Sequence, residues 1–227
     1  MNPRRSLFVS FEGGEGAGKT TQIRILAERL RALGCIVTET REPGGGALGM
    51  PIRSLLLDAK TRGLDPMAEL LLIEAQRAQH VRDVIGPALA AGHVVLTDRY
   101  VDSTTAYQGG GRRLDASTVR SLNRLASGGV MPDLTLLLDI PVERGLTRAR
   151  ARTARTEGEK EGRFEAEALA FHQRVRREFH RLARGEPRRF RVVRADRTID
   201  EVASEVAAIV EPRVTRARHR SASRRNS

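Results

Sequence analysis

The chain has 227 residues, of which 40 are Lys or Arg, 28 are Asp or Glu and 40% are hydrophobic. This length and apolar content suit one domain with its own core, and the one cysteine, Cys35, excludes an internal disulfide framework and suits a reducing compartment. No apolar run approaches the roughly 20 residues that a membrane-spanning helix requires, and the N-terminal stretch lacks a signal-peptide pattern. We therefore expect a cytoplasmic protein with no membrane partner.

Short apolar runs alternate along the chain with longer amphipathic segments. Strands are predicted at 7–11, 35–40, 93–98, 134–140 and 189–195, and helices at about 19–33, 66–91, 115–127, 142–152, 164–184 and 198–210. Buried strands separated by helices indicate a parallel sheet that is covered on both faces. Weak points of the fold are predicted at GGGALG (44–49), YQGGGRR (107–113) and RTARTEGEKEG (152–162), and the last of these is expected to be mobile and exposed.

The stretch FVSFEGGEGAGKTTQ, residues 8–22, contains the pattern G-x-x-x-x-G-K-[ST] between a predicted strand and a predicted helix. In this context the pattern indicates a phosphate-binding loop, since backbone N–H groups and the helix dipole favour phosphate there. Lys19 adds a charge for the β- and γ-phosphates, and the Thr20 hydroxyl can ligate Mg²⁺. The residues expected to bind the nucleotide are Gly13, Gly14, Glu15, Gly16, Ala17, Gly18, Lys19, Thr20 and Thr21.

Charged residues also follow two other predicted strands. Asp98 and Arg99 lie in TDRY (97–100), and Arg41 lies in TREPGG (40–45). Because the carboxyl ends of parallel strands face the ligand crevice, we expect Asp98 to hold Mg²⁺ and the two arginines to bind phosphate. Basic residues at three strand ends indicate two phosphorylated ligands.

The last residues of the chain are strongly basic. The net charge is +12, and residues 212–227 contain six arginines and no acidic residue. We expect residues 1–211 to form one domain and residues 212–227 to form a disordered tail. Such a tail could bind nucleic acid through counterion release, and a solvated extension is the simpler interpretation.

Five stretches together resemble the thymidylate kinases of bacterial type: FEGGEGAGKTTQ, TREPGG, DRYVDSTTAYQGGGR, PDLTLLLDIP and RARAR. They span roughly residues 7–210 in the family's order and spacing. The resemblance implies an α/β three-layer P-loop NTPase fold, with a five-stranded parallel sheet and a mobile lid at about residues 148–163. It further implies a nucleoside monophosphate kinase domain that transfers the γ-phosphate of ATP to dTMP with Mg²⁺, giving dTDP and ADP for dTTP biosynthesis. Family members usually work as homodimers.

The resemblance also implies roles for acceptor-side residues. Arg41 and Arg99 would grip the acceptor monophosphate with Arg53 nearby, and Arg77 would hydrogen-bond the pyrimidine carbonyl. Tyr107 would crowd the sugar C2 position and reject a ribose, and Glu15 would face the sugar 3′-hydroxyl. The remaining residues expected at the base are Ile73, Thr104 and Gln108.

The resemblance implies that the cation for the transferring phosphoryl group comes either from the phosphate loop or from the lid. Positions 14–17 contain no basic residue, so we expect the lid to supply it. Arg152 in RARAR matches the family's lid arginine, and Arg148 would lie against the adenine. The residues that we expect to be catalytic are Lys19, Asp98, Arg99 and Arg152.

The sequence departs from the family pattern at Ile73, where most relatives have a Phe that stacks on thymine, and at Gly46 and Gly162. Ile73 leaves open a kinase for another deoxynucleotide or one with relaxed specificity. A switch-type NTPase is a further alternative, although the chain lacks the Asn-Lys-x-Asp guanine signature. The basic tail motivates a third alternative, a nucleic-acid-binding protein.

Overall fold

The structure, a computed structural model, describes residues 6–61, 63–153 and 163–223. Its centre is a sheet of five strands, and every neighbouring pair is parallel. The strands are β1 (Leu7–Glu12), β2 (Val37–Arg41), β3 (Val94–Asp98), β4 (Leu134–Asp139) and β5 (Phe190–Arg194). Their order in the sheet is β2-β3-β1-β4-β5, which confirms the predicted five-stranded parallel sheet.

Helices connect the strands and cover both faces of the sheet. They are α1 (Lys19–Ala32), α2 (Gly49–Leu57), α3 (Pro66–His80), α4 (Gly86–Ala90), α5 (Val101–Thr104), α6 (Ala116–Ser127), α7 (Val142–Thr153), α8 (Leu169–Gly185) and α9 (Ile199–Ser223). A π-helical turn at Val81–Ile85 joins α3 to α4, so the long helix predicted at 66–91 is present with this turn inside it. A second π-helical segment, Thr105–Gly111, continues α5, and a short 3₁₀ turn occupies Ala59–Thr61.

Alternate residues of β1 enter different halves of the core. Val9 and Phe11 belong to the larger cluster, which includes residues of α1 and α9. Phe8 points to the opposite face and packs with Ile85 and Tyr100. The sheet is therefore buried on both faces, as expected for a parallel sheet between two helical layers.

The stretch YQGGGRR, predicted as a weak point, is largely helical, because residues 101–111 form α5 and the π-helical segment that follows it. The glycines serve close packing against α8. A Cβ added at Gly111 would lie 2.5 Å from Phe171 Cε2, and one added at Gly110 would lie 2.7 Å from Glu178 Cβ.

The C-terminal region also differs from the expectation. Helix α9 continues through Pro212, so the segment expected to be disordered is helical as far as Ser223. Val214 is 5% exposed and belongs to the larger core cluster, and Glu211 pairs with Arg29 of α1 at 2.9 Å. These contacts stabilise the continuation of the helix beyond the proline.

The lid predicted at about 148–163 begins inside α7, which ends at Thr153. Residues 154–162, most of the expected lid, lie outside the described residues. Helix α8 begins at Leu169, later than the predicted 164, and turns occupy 163–166 before it. None of the helices that the structure describes is long and apolar enough to cross a membrane.

Candidate active site

The phosphate-binding loop joins β1 to α1 and packs against two neighbouring backbones. Gly13 has a φ of 135°, and a Cβ there would collide with the carbonyl oxygen of Leu138 in β4. A Cβ at Gly16 would collide with the carbonyl oxygen of Gly145 in α7, and a Cβ at Gly145 would in turn collide with the backbone of Glu15. The glycines therefore allow the loop to lie against the sheet and α7.

Lys19 lies buried at the start of α1, and its Nζ donates to the carbonyl oxygens of Gly13 and Gly14 at 3.2 and 3.1 Å. Burial, together with the nearby charge of Arg99, lowers the pKa of the ammonium group from 10.5 to about 8. The pKa falls because both effects disfavour the charged form. The ammonium group thus lies within the loop, as expected for a phosphate-binding lysine.

The pair expected to hold magnesium is assembled beside the loop. The Thr20 hydroxyl donates to Asp98 Oδ2 at 2.6 Å. Asp98 ends β3, and the strand register places it opposite Phe11 of β1, so the carboxylate reaches the start of α1. A hydroxyl and a carboxylate are oxygen donors of the kind that Mg²⁺ prefers, so this pair fits the metal.

A pocket opens beside the loop. Most of the acceptor-side residues predicted from the sequence line it together: Glu15, Arg53, Ile73, Arg77, Arg99, Thr104, Tyr107, Gln108 and Arg152. The lining residues that the sequence did not indicate are Glu42, Pro43, Leu56, Leu57, Tyr100, Ser103, Phe164 and Glu165. We call this cavity the acceptor pocket.

Arg41 is the predicted acceptor residue that the structure does not bring into the acceptor pocket. It ends β2, opposite Asp98 in the strand register, and its side chain is exposed. It lines a more open cleft together with Thr20, Thr21 and Asp98. Arg41 therefore shares this cleft with the two predicted magnesium ligands, Thr20 and Asp98.

Glu15 forms the shared wall between the phosphate loop and the acceptor pocket. Its Oε1 accepts from Tyr107 Oη at 2.7 Å and from Arg99 Nη2 at 2.8 Å. Burial alone would raise the pKa of this carboxyl, but the charges of Arg99 and Lys19 outweigh burial and hold it at about 2. Arg99 has a φ of 72°, a strained conformation of the kind that clusters at functional sites.

Arg77 is almost fully buried on α3, at 1% exposure. Its guanidinium donates to Glu42 Oε2, Glu74 Oε2, Asn123 Oδ1 and Thr104 Oγ1 at 2.7 to 2.9 Å. These four acceptors hold the side chain in one orientation at the wall of the pocket. The carboxylates of Glu42 and Glu74 compensate the buried charge of Arg77. The sequence pattern did not reveal this compensation.

Behind Arg77 lies a buried histidine that the sequence analysis missed. His80 Nδ1 is 2.8 Å from Glu42 Oε1, and its Nε2 is 2.6 Å from Thr40 Oγ1. A Cβ at Gly45 would collide with this ring, so the glycine of TREPGG makes room for it. His80 therefore supports the carboxylate that orients Arg77.

Gln108 has a partner of its own behind the pocket wall. Its Nε2 donates to Glu69 Oε1 at 2.8 Å, and Glu69 is fully buried. Arg163 and Arg112 pair with Glu69 Oε2 at 2.7 and 3.1 Å. The sequence analysis did not single out Glu69, because a charged residue in an amphipathic helix is usually solvated.

Glu12, at the end of β1, is another buried acid that the sequence analysis missed. It accepts hydrogen bonds from the hydroxyls of Ser10 and Ser103 and from the backbone N–H of Tyr100. Burial, with the nearby charge of Asp102, raises its pKa to about 8. It joins β1 to the segment that follows β3 and lies behind Arg99.

Helix α7 places two arginines at the edges of the site. Arg148 Nη1 donates to the carbonyl oxygen of Ala195 at 3.0 Å, and its Cβ lies next to Gly16. Arg152 lies 3.5 Å from Glu165 Oε1 at the rim of the acceptor pocket, with a side chain that is 56% exposed. Arg148 is thus on the loop side of α7, and Arg152 is on the acceptor side.

The fold and the site together define a P-loop phosphotransferase, because a phosphate loop and an arginine-lined acceptor pocket share one wall. The family model for thymidylate kinase matches residues 11–206. The chain belongs to the thymidylate kinase family, whose members are ATP-dependent nucleoside monophosphate kinases. This finding argues against the switch-type NTPase alternative.

Individual relatives agree with the family model. A thymidylate kinase from Syntrophotalea carbinolica is 56% identical over 201 residues, which cover 88% of this chain and 93% of that protein. One from Geobacter sp. strain M21 is 58% identical over 186 residues, with coverages of 82% and 83%. The crystal structure of a thymidylate kinase from Ehrlichia chaffeensis superposes with a TM-score of 0.72 at 35% identity, over 91% of this chain and 98% of that one.

Proposed function

We propose that this protein transfers the γ-phosphate of ATP to dTMP, giving dTDP and ADP in the synthesis of dTTP. The observation that carries the proposal is the shared wall formed by Glu15, Arg99 and Tyr107 between the phosphate loop and the acceptor pocket. A donor triphosphate on the loop and an acceptor monophosphate in the pocket would meet across this wall. The names of the relatives support thymidylate as the acceptor.

Positioning and charge neutralisation would supply most of the catalysis, as is general for phosphoryl transfer. Lys19 would hold the β- and γ-phosphates, and Arg99 would bind the acceptor phosphate from the pocket side. Arg53, whose Nη1 donates to the carbonyl oxygen of Pro43 at 3.0 Å, also lines the pocket. These groups would hold the attacking oxygen close to the γ-phosphorus.

Arg152 is our candidate for the cation that stabilises charge on the transferring group. It reaches the pocket from α7, and it is half exposed, so it can reorient toward a bound phosphate. An arginine in this role is worth about 10³–10⁵ in rate in related NTPases. Arg148, on the loop side of α7, would then lie beside the adenine.

Thr20 and Asp98 would hold Mg²⁺, through their hydroxyl and carboxylate oxygens. The metal, when bound, neutralises negative charge on the phosphate oxygens. Arg41, which lies in the same open cleft, would add a positive charge on this side of the phosphates.

Tyr107 fits the proposed filter against ribose. Its hydroxyl donates to Glu15, and its ring is packed edge-on against Phe164, Phe171 and Phe179 at centroid distances of 5.6 to 6.2 Å. A ring held on so many sides cannot yield to an added 2′-hydroxyl. Glu15, whose carboxyl has a pKa of about 2, would be ionised and able to accept a hydrogen bond from the 3′-hydroxyl.

We also propose that the protein is a cytoplasmic homodimer. Helix α3 exposes Met67 and Leu71, which are one turn apart and 37% and 50% exposed. Helix α6, which packs beside α3, exposes Leu125 at 78%. Apolar side chains exposed on two neighbouring helices support an interface there.

A coupled ADP-release assay with MgATP tests the activity across dTMP, dUMP, dCMP, UMP and dGMP. We expect the highest kcat/KM for dTMP and much lower turnover of UMP, because Tyr107 would exclude the ribose. Turnover of another monophosphate without turnover of dTMP would overturn the substrate assignment. A Lys19→Ala variant, purified in the same way, controls for contaminating kinases and should show no turnover.

A further inference from the structure

Glu69 lies directly behind the base end of the acceptor pocket without lining it. Its carboxylate is 0% exposed, and its Oε1 accepts from Gln108 Nε2 at 2.8 Å. Gln108 lines the pocket and is itself only 1% exposed. The contact thus joins a buried charge to a side chain that can touch the substrate.

This contact determines which end of the Gln108 amide faces the pocket. An ionised carboxylate can only accept hydrogen bonds, so the amide NH₂ must turn toward Glu69. The carbonyl oxygen of Gln108 is then presented to the pocket as an acceptor. The buried Arg163 pairs with Glu69 Oε2 at 2.7 Å and keeps the carboxylate an acceptor, and the more exposed Arg112 pairs with the same oxygen at 3.1 Å.

Arg77 presents the opposite polarity on the same wall. A guanidinium has five N–H donors and no acceptor. Partners among the described residues use four of them: Nε toward Glu42, two on Nη1 toward Glu74 and Asn123, and one on Nη2 toward Thr104. The remaining N–H of Nη2 is left for a ligand. The pocket therefore combines one fixed donor with one fixed acceptor.

Pyrimidine bases differ in their arrangement of hydrogen-bond donors and acceptors. Thymine and uracil carry a carbonyl acceptor at position 4 and an N–H donor at position 3, whereas cytosine carries an amino donor and a ring-nitrogen acceptor. We propose that Glu69 is a positioning residue that makes the kinase select 4-carbonyl pyrimidines over cytosine, by holding Gln108 as an acceptor beside Arg77. The proposal rests on the proposed function. It also accounts for selectivity at a site where Ile73 cannot supply aromatic stacking.

The test is Glu69→Gln, which nearly preserves the shape of residue 69 but gives it an NH₂ donor. Gln108 can then rotate and turn its own NH₂ toward the pocket. We expect kcat/KM for dTMP and dUMP to fall by the same factor, chiefly through KM. A buried polar group that loses its partner weakens binding by about 5- to 150-fold. We therefore expect the ratio of kcat/KM for dTMP to that for dCMP to fall by about fivefold or more. Equal losses for dTMP and dCMP would show a purely structural role and overturn the proposal.

Arg112→Gln is the matched control, because it removes a charged partner of Glu69 and leaves the Glu69–Gln108 contact in place. Its ratio of kcat/KM for dTMP to kcat/KM for dCMP should equal that of the wild type, and a ratio that falls as far as in Glu69→Gln would contradict the mechanism.

If Glu69→Gln does not fold, the Gln108→Met variant provides the test, since it removes the amide acceptor and keeps the charges of Glu69 and both arginines. An unchanged ratio in Gln108→Met overturns the proposal. Failure of the wild type to use dTMP would instead overturn the proposed function.

Discussion

At the scale of single residues, an acidic side chain in a phosphate loop is explained by its neighbours. Glu15 turns away from the loop amides toward Arg99 and Tyr107, so the backbone N–H groups remain free to bind phosphate. Its carboxyl has a pKa of about 2, and it offsets the positive charge at the wall of the acceptor pocket. The charged side chain that lies within the loop is instead Lys19.

Lys19 leads to a prediction about protons in nucleotide binding. In the nucleotide-free protein its pKa is about 8, so the ammonium group loses its proton as the pH rises through 8. A bound triphosphate favours the charged form and raises this pKa. ATP affinity should therefore fall above pH 8, and binding at pH 8 should take up about half a proton. Isothermal titration calorimetry in two buffers of different ionisation enthalpy measures this uptake.

The control for this measurement is Lys19→Arg, because a guanidinium stays charged throughout this pH range. Binding to this variant should show no dependence on the buffer. An equal proton uptake by the wild type and the variant would assign the proton to another group. No uptake by the wild type would refute the low pKa of Lys19.

Most residues that line the acceptor pocket could be predicted from the sequence, but most of the residues that orient them could not. Arg77 and Gln108 lie in stretches whose spacing matches a known family, so their positions alone indicated the base site. Glu69, Glu74 and His80 lie on the same helix as Arg77, and polar residues on a helix are solvated by default. Only the packing of α3 against its neighbours shows that they are buried.

At the scale of elements, the strands were predictable because short apolar runs between helices mark a buried parallel sheet. The helical segment at 101–111 was not predictable, because three consecutive glycines disfavour a helix by intrinsic propensity. Here tertiary packing overrides propensity, since side chains at Gly110 and Gly111 would collide with α8. The length of α9 was also missed, because Pro212 and the basic residues after it suggested an end to the helix.

The prediction at the scale of elements concerns helix α7, because the two arginines to which we assign roles, Arg148 and Arg152, lie on either side of the site. Arg152→Ala should lower kcat by about 10³-fold or more, while the KM for dTMP stays nearly unchanged, if its cation acts on the transferring group. Steady-state kinetics with both substrates varied separates the two parameters. Arg150→Ala, an exposed arginine on the same helix, should leave kcat within about twofold, since surface substitutions have small effects. A normal kcat for Arg152→Ala would remove this residue from the mechanism.

At the scale of the whole molecule, the basic C-terminal segment is not separable from the domain at Pro212. Half of the net charge of +12 comes from residues 212–227, which contain six arginines and no acidic residue. Yet α9 passes through this boundary, and Val214 lies in the core cluster formed with α1. A truncation that tests nucleic-acid binding should therefore begin after Thr215, so that the core remains intact.

The proposed dimer is a property of the whole molecule, and Leu71→Glu tests it. Leu71 is half exposed on α3, so a glutamate there should leave the fold intact but place a charge in an apolar interface. Light scattering after size-exclusion chromatography should give twice the 25.0 kDa chain mass for the wild type and one chain mass for the variant. Ile199→Glu is the matched control, since Ile199 is 57% exposed on α9, which packs on the other face of the sheet, and this variant should stay dimeric. A wild type with the mass of one chain would refute the dimer, and a dimeric Leu71→Glu variant would place its interface elsewhere.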